Sequence, residues 1–289
     1  MFSNTTPISP LDEIIAYESL WIDEKASFKN IASLFASNPG SRATDFIEFR
    51  RDNSLFTEIK RKVINSRKEF RTNVLINGTI DFPSRLKDAK DPIELLYYSG
   101  NLDYLNTRCI SIVGTRNPTV EGLKVTSEIT KKLVKDDFTI VSGLAKGIDT
   151  QAHVSALSLN GRTIAVIGTP IGTSYPKENS DLQIKIGKQH LLLSQVPFYR
   201  YSIQNHLINR FFFLERNKTM SALTDATLII EAGETSGSLT QAAAAIYQKR
   251  KLLIWDSCFN NNSITWPNKY LEKGAIRVKN YDEILNALK

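Results

Sequence analysis

A chain of 289 residues with 42% hydrophobic and 23% charged residues is long enough for one large domain and a smaller one. That balance excludes a disordered or fibrous protein. Its net charge of +7 favours a polyanionic partner. The apolar stretches are only strand-length, and the N-terminal MFSNTTPISPLDE lacks the basic and apolar parts of a secretory signal. Cys109 and Cys258 without further cysteines exclude a disulfide framework or a zinc site. A cytoplasmic protein with reduced core cysteines, no metal and no membrane contact is expected.

From the N-terminus, Pro10 followed by LDEIIAYESLW starts a helix with apolar positions Leu11, Ile14, Ile15, Tyr17, Leu20 and Trp21. A second helical pattern carries Phe28, Ile31, Leu34 and Phe35 and closes at the turn Asn38–Ser41. The stretch 42–71 is predominantly basic and reads as a solvated helical face. At Asn73 the pattern changes, so residues 1–72 are expected to form an N-terminal helical domain and 73–289 the main domain. There VLING reads as a short strand, followed by an extended, proline-punctuated segment, DFPSRLKDAKDPIELLYYSG. Further strands are expected at Cys109–Val113, Phe138–Ser142, Thr163–Ile167, Leu191–Leu193, Ala226–Glu231 and Lys251–Trp255. Helices fall at about 120–136, 150–160, 179–189, 204–211, 217–224 and 239–249, with a last one at 281–288. This alternation predicts right-handed crossovers and an α/β fold, a Rossmann-like, doubly wound and mainly parallel sheet.

Three of the strand-to-helix junctions carry the chemistry. Each places small residues and free backbone N–H groups where a helix begins, which is where anions bind. In the first, Gly114-Thr115-Arg116 puts a glycine at the strand end and a guanidinium able to fork onto one phosphate. In the second, Ser142-Gly143-Leu144-Ala145-Lys146-Gly147 combines a strand-end hydroxyl, two turn glycines and a cation. Asp149 reads as the N-cap of the following helix, and His153 as a packed imidazole rather than a catalyst. The third junction, Gly233 to Ser238, offers Ser236, Gly237 and Ser238 ahead of the helix QAAAAIYQK, with Glu231 at the strand edge to accept from a base or sugar or to pair with a cation. Finally, Arg216-Asn217-Lys218 opens a short helix after Phe211-Phe212-Phe213. Three consecutive phenylalanines read as core, whereas exposed rings beside cations would suit stacking on unpaired bases.

Neither GxxxxGK[ST] nor GxGxxG followed by an acidic residue on the next strand occurs, so the fingerprints for ATP and NAD are absent and no cofactor is expected. No Ser-His-Asp arrangement or carboxylate pair is readable from spacing either.

The runs SIVGTRNPTVEG, IVSGLAKGIDTQAH, GRTIAVIGT, YPKEN and FLERNKTMSALTDATLIIEAGETSGSLTQAA, in this order, resemble the DNA-processing protein A (DprA/Smf) family. The likeness covers about residues 74–278 and is to the family's Rossmann-like domain, without the C-terminal winged helix that many members carry. It implies an extended Rossmann-like fold, a non-catalytic single-stranded DNA-binding function, homodimerisation and transfer of the strand to a RecA-type recombinase in DNA uptake and recombination. By motif position the implied nucleic-acid contacts are Gly114, Arg116, Ser142, Gly143, Lys146, Gly147, Arg216, Asn217, Ser236, Gly237 and Ser238, and Thr115 and Lys218 beside them complete the candidate set.

The chain departs from the family pattern in several places. Leu214-Glu215 replaces the proline and variable residue of FPxRN, Gln195 replaces the acid of LSE, and Gln241 stands where threonine is usual. The stretch 198–210 is unlike the usual short proline-rich link. A second function class stays open: a nucleotide-derivative sensor or nucleotide-processing enzyme on the related lysine-decarboxylase-like fold, with anti-phage defence as a setting. Against hydrolysis, Gln241 stands where that fold's PGGxGTxxE motif has its glutamate, and an amide cannot act as a carboxylate base.

Overall fold

The computed structural model describes residues 8–47 and 54–289. The chain opens with α1 (Pro10–Leu20), α2 (Phe28–Ala36) and α3 (Ser54–Phe70). Ser9 accepts from the Asp12 amide to cap α1, and Ser27 caps α2 through the Asn30 amide. Trp21, at the end of α1, packs edge-on against Phe28 with ring centroids 4.8 Å apart.

The sheet has nine strands among the described residues. They are β1 (Asn73–Ile76), β2 (Leu95–Gly100), β3 (Cys109–Val113), β4 (Thr139–Ser142), β5 (Thr163–Ile167), β6 (Leu191–Ser194), β7 (Ala226–Ile229), β8 (Lys251–Trp255) and β9 (Ile276–Val278). Their order is β1-β2-β6-β5-β4-β3-β7-β8-β9. From β6 to β9 all neighbours are parallel, while β1 and β2 join antiparallel at one edge. The fold is therefore the Rossmann-like, mainly parallel α/β fold expected.

The helices between strands are α4 (Val120–Lys135), α5 (Ile148–Leu157), α6 (Ser180–Gln189), α7 (Phe198–Ile203), α8 (His206–Ala222), α9 (Ser238–Tyr247) and α10 (Trp266–Leu271), and α11 (Tyr281–Leu288) follows the last strand. Strand residues alternate between the faces. Ile110, Ile112, Ile140 and Leu228 pack with α4, α5 and α11 on one side. Cys109, Val113 and Ile229 belong to the larger core that includes α8, α9 and the N-terminal helices. The chain winds from β3 outward to β6, then returns through α7 and α8 to lay β7 beside β3. The carboxyl ends of β3 and β7 thus flank the point where the winding reverses, the usual ligand crevice of such sheets. No helix among the described residues is long and apolar enough to cross a membrane.

Four differences from the sequence reading have physical causes. The segment ending LLYYSG is not merely extended: β2 pairs with both β1 and β6, burying Leu95, Leu96 and Tyr97. β9, with three residues, and α10, with six, are too short to show a period. The helices expected at 204–211 and 217–224 are one continuous helix, α8. Asn205 caps it through the amides of Leu207 and Ile208, and no glycine or proline interrupts it before Ala222.

The N-terminal helices pack into the same core, and one buried carboxylate ties them to α7. Glu18 on α1 is fully buried and accepts from the Phe198 amide at 2.8 Å, the Tyr199 amide at 2.9 Å and the Tyr97 hydroxyl at 2.5 Å. It thereby satisfies the first amides of α7, the helix leading into α8. Burial pushes its pKa from 4.5 up to about 7, against the pull of these donors and of Lys62. A carboxyl whose folded pKa is raised contributes stability below its unfolded pKa that is lost as pH rises through the folded value. The melting temperature is therefore expected to fall between pH 5 and pH 8, and Glu18→Gln to flatten most of that decline in a differential scanning series. An identical slope in the variant would contradict this assignment.

Candidate nucleic-acid interface

The three junctions singled out in the sequence meet at the carboxyl ends of β3, β4 and β7, around a cleft of about 740 Å³. Gly114, Thr115 and Arg116 line it from the first junction, Ala145 and Asp149 from the second, and Thr235, Ser236, Gly237 and Ser238 from the third. The opposite wall is α8, presenting Leu207, Arg210, Phe211, Phe213, Leu214, Arg216 and Asn217, with Tyr175 beside it.

The loops hold one another in place. The Thr115 amide donates to Glu231 O at 2.6 Å, and the Ile148 amide donates to Thr115 O at 3.3 Å. Ser238 Oγ donates to Gly114 O at 3.4 Å, and Ser236 Oγ lies 3.2 Å from Ser238 Oγ. Gly147 has φ +85, in the left-handed region, and a Cβ there would lie 2.5 Å from Thr115 O, so only glycine serves. Asp149 is not the N-cap, which is Gly147. Its carboxylate, inside the first turn, folds back to accept from the amides of Gly143 at 3.1 Å and Ala145 at 3.4 Å, pinning the loop from within.

Arg216, expected as a nucleic-acid contact, lines the cleft but is mostly buried in the protein. It is 4% exposed. Its Nη1 donates to Gly143 O and Val166 O, and its Nε to Asn217 Oδ1 at 2.8 Å. Asn217 in turn donates through Nδ2 to Gly237 O at 2.9 Å. Two adjacent residues of α8 thus tie that helix to both the second and the third junction. Gly143 has to be glycine because a Cβ would come within 2.5 Å of the guanidinium. Burial pushes the Asp149 carboxyl up to about 6, while the nearby Arg216 guanidinium and the loop amides pull it down. Burial likewise lowers Arg216, with Asp149 opposing.

Several other residues are corrected. Ser142 is fully buried, its hydroxyl donating to Ile112 O at 2.6 Å, so it caps the neighbouring strand instead of facing a ligand. Lys218 is off the cleft, ion-paired with Glu215 at 2.7 Å and facing Asp91 at 4.0 Å. Glu231 accepts from the Thr119 amide at 3.1 Å and hydroxyl at 3.0 Å, capping the start of α4. Gly143 and Gly147 shape the second loop without lining the cleft, and Lys146 stands exposed on that loop next to Ala145. His153 is the packed imidazole expected: buried, 2.7 Å from Thr163 Oγ1, and neutral because burial lowers its pKa to about 3.

The three phenylalanines have three fates. Phe212 is core, packed against Trp21 and Phe28. Phe213 lines the cleft, its ring 5.2 Å from that of Tyr175. Phe211 is 66% exposed at the rim. Sequence reasoning missed Arg210, Leu207, Leu214 and Tyr175. The first three were findable: residues 207, 210, 214 and 217 recur at helical spacing, which shows one face once α8 is read as unbroken.

With the cleft described, the relatives decide the family. A model of DNA recombination-mediator protein A matches residues 73–289. The chain belongs to the DNA recombination-mediator protein A family. DNA processing protein DprA of Bacillus subtilis is 32% identical over 228 residues, covering 78% of this chain and 75% of that protein. The crystal structure of DNA processing protein A from Streptococcus pneumoniae superposes with a TM-score of 0.68 at 28% identity, over 96% of this chain and 93% of that one. DNA processing protein A from Helicobacter pylori, solved for its single-stranded DNA binding mode, gives a TM-score of 0.64 at 30% identity over 76% of this chain and 96% of that one.

The buried and exposed arginines of the cleft are expected to separate in mutagenesis. Arg216→Met leaves Asp149 without its cation and two carbonyls without a donor, costing about 3 kcal/mol of stability. Arg210→Glu, on the exposed side of α8, changes stability by less than about 0.5 kcal/mol. Urea unfolding of both variants checks this, and equal midpoints would contradict the clasp.

Proposed function

We propose that this protein binds single-stranded DNA in the cleft without chemically altering it. The observation that carries the reading is the asymmetry of the two walls. One wall consists of strand-to-helix loops with helix N-termini and the cation Arg116, with Lys146 exposed on the second of these loops, chemistry suited to phosphates. The other wall offers the faces and edges of Phe211, Phe213, Tyr175, Leu207 and Leu214, with Arg210 among them, chemistry suited to unstacked bases. A duplex keeps its bases stacked inside and cannot use both walls at once. The single-stranded DNA binding mode of the Helicobacter pylori relative supports the same reading.

Two finer elements belong to this proposal. The chain acts as a homodimer and hands its strand to a RecA-type recombinase in DNA uptake and recombination, as family membership suggests. Sedimentation at micromolar concentration tests the first, and co-purification with a recombinase on a DNA strand tests the second.

Binding of a labelled ~20-nucleotide strand is expected to fall steeply with salt, since each phosphate contact contributes a slope of about 0.7 in log–log form. Arg116→Glu combined with Lys146→Glu should weaken binding by at least about tenfold for all sequences alike and lower that slope. Duplex and mononucleotides should compete poorly. Unchanged affinity in the double variant, or displacement by a mononucleotide at equal concentration, would overturn the proposal.

A further inference from the structure

A second cavity, of about 280 Å³, lies beside the start of α4 and shares no lining residue with the cleft. It sits where two strands end: Glu231 follows β7 by two residues, and Trp255 is the last residue of β8. Glu121 and Gly122 of α4 face the same space, and Val125 and Ile264 add apolar wall. Glu231 Oε2 accepts from the Thr119 amide at 3.1 Å and hydroxyl at 3.0 Å. Oε1 has only a 3.4 Å contact with that amide and keeps acceptor capacity. Glu121 is exposed in the first turn of α4. Neither carboxylate is ion-paired among the described residues, and no Lys, Arg or His lines the cavity.

Glycine within a helix is disfavoured, yet residue 122 has to be glycine, because a Cβ there would collide with Glu231 Oε2. The helix is cut away to seat a carboxylate over its first turn. A helix start otherwise favours an anion. At α4 the Glu231 carboxylate already fills that position, so a phosphate would meet two negative charges and no cation. The cavity therefore selects a cation. The half-buried Trp255 says which kind: a guanidinium stacks on an aromatic ring and presents N–H groups in its own plane to carboxylates. A metal ion fits poorly, since the described residues contain no group of three His, Cys, Asp or Glu that could hold one, and indole supplies no ligand atom. Between the lining residues Thr119 and Glu121, Val120 is 86% exposed, apolar surface for a polypeptide to cover.

We propose that this cavity takes an arginine side chain of a partner protein, its guanidinium against Trp255 and hydrogen-bonded to Glu231 and Glu121. The site is separate from the cleft, so a partner seated here leaves the cleft free for its own ligand.

Trp255 is the reporter, because the other two tryptophans, Trp21 and Trp266, are only 2% and 3% exposed. Its emission is titrated with acetyl-Leu-Arg-Leu-amide, with the same peptide carrying lysine or citrulline, the uncharged isostere of arginine, and with agmatine and guanosine. The arginine peptide should give a saturable change. Citrulline should weaken it by roughly tenfold, the size of one charge-assisted hydrogen bond, and lysine should fall between the two. In Glu121→Gln combined with Glu231→Gln, the carboxamide at 231 still accepts from Thr119, and the arginine and citrulline peptides should bind alike. Glu121→Gln alone, on the exposed side of α4, should weaken the arginine peptide by about threefold, which covers the case of a misfolded double variant. No emission change with the arginine peptide, an equal response to arginine and citrulline in the wild type, or a preference that survives in the double variant would overturn the inference. Agmatine binding as tightly as the arginine peptide would assign the cavity to a free guanidinium compound, and a response to guanosine alone would assign it to a base; either would overturn the partner protein.

Discussion

The cleft depends on one buried cation. Taking a guanidinium out of water is costly, and the cost is met only where hydrogen bonds and an opposite charge are already in place. Arg216 meets those terms with two backbone carbonyls, the Asn217 side chain and the nearby Asp149 carboxylate. Lysine would not do the same, because its point charge lacks the planar fork that reaches Gly143 O and Asn217 Oδ1 together. The arrangement explains why glycine stands at 143 and why the Asp149 carboxylate is turned inward. Arginine here builds the site, while Arg116, Lys146 and Arg210 stay exposed, as the proposed binding of a strand requires.

From that constraint the rest of the account follows by division of labour. The loops after β3, β4 and β7 are braced by mutual hydrogen bonds, so their helix starts are set before any ligand arrives. α8 supplies the apolar half of the cleft because a single unbroken helix carries residues 207, 210, 214 and 217 along one side. Glu18 completes the support from the other end, holding the start of α7 and so linking the N-terminal helices to the helix that forms the wall. The N-terminal region therefore braces the structure, through a carboxylate whose burial makes it sensitive to pH.

Much of the sheet was legible because strands buried on both faces are continuous apolar runs: CISIV, TIAVI and KLLIW announce themselves. β2 was hidden by the prolines ahead of it, and β9 and α10 are shorter than any period. The junction loops were legible from their small residues, and eight of the residues named from sequence, Gly114 and Ser238 among them, line the cleft. The differences share a cause. Ser142, Arg216 and Asp149 are polar residues at a strand end or inside a helix, and sequence does not reveal whether such a group faces a ligand or another part of the chain. Lys218 was misassigned for a related reason: reading a helix start at 216 put all three residues at a terminus, whereas in an unbroken α8 position 218 turns away from 217. Phe211, Phe212 and Phe213 could not be sorted by composition, because a helix sends consecutive side chains about 100° apart.

The most direct test of the cleft as a DNA site is to locate the contact chemically. Strands of ~20 nucleotides carrying 5-iododeoxyuridine, irradiated with the protein and digested for mass spectrometry, report which aromatic side chains lie against a base. The account predicts adducts on Phe211, Phe213 or Tyr175, suppressed by unlabelled single strand and not by duplex. Adducts confined to residues outside the cleft, with these three unmodified, would contradict it.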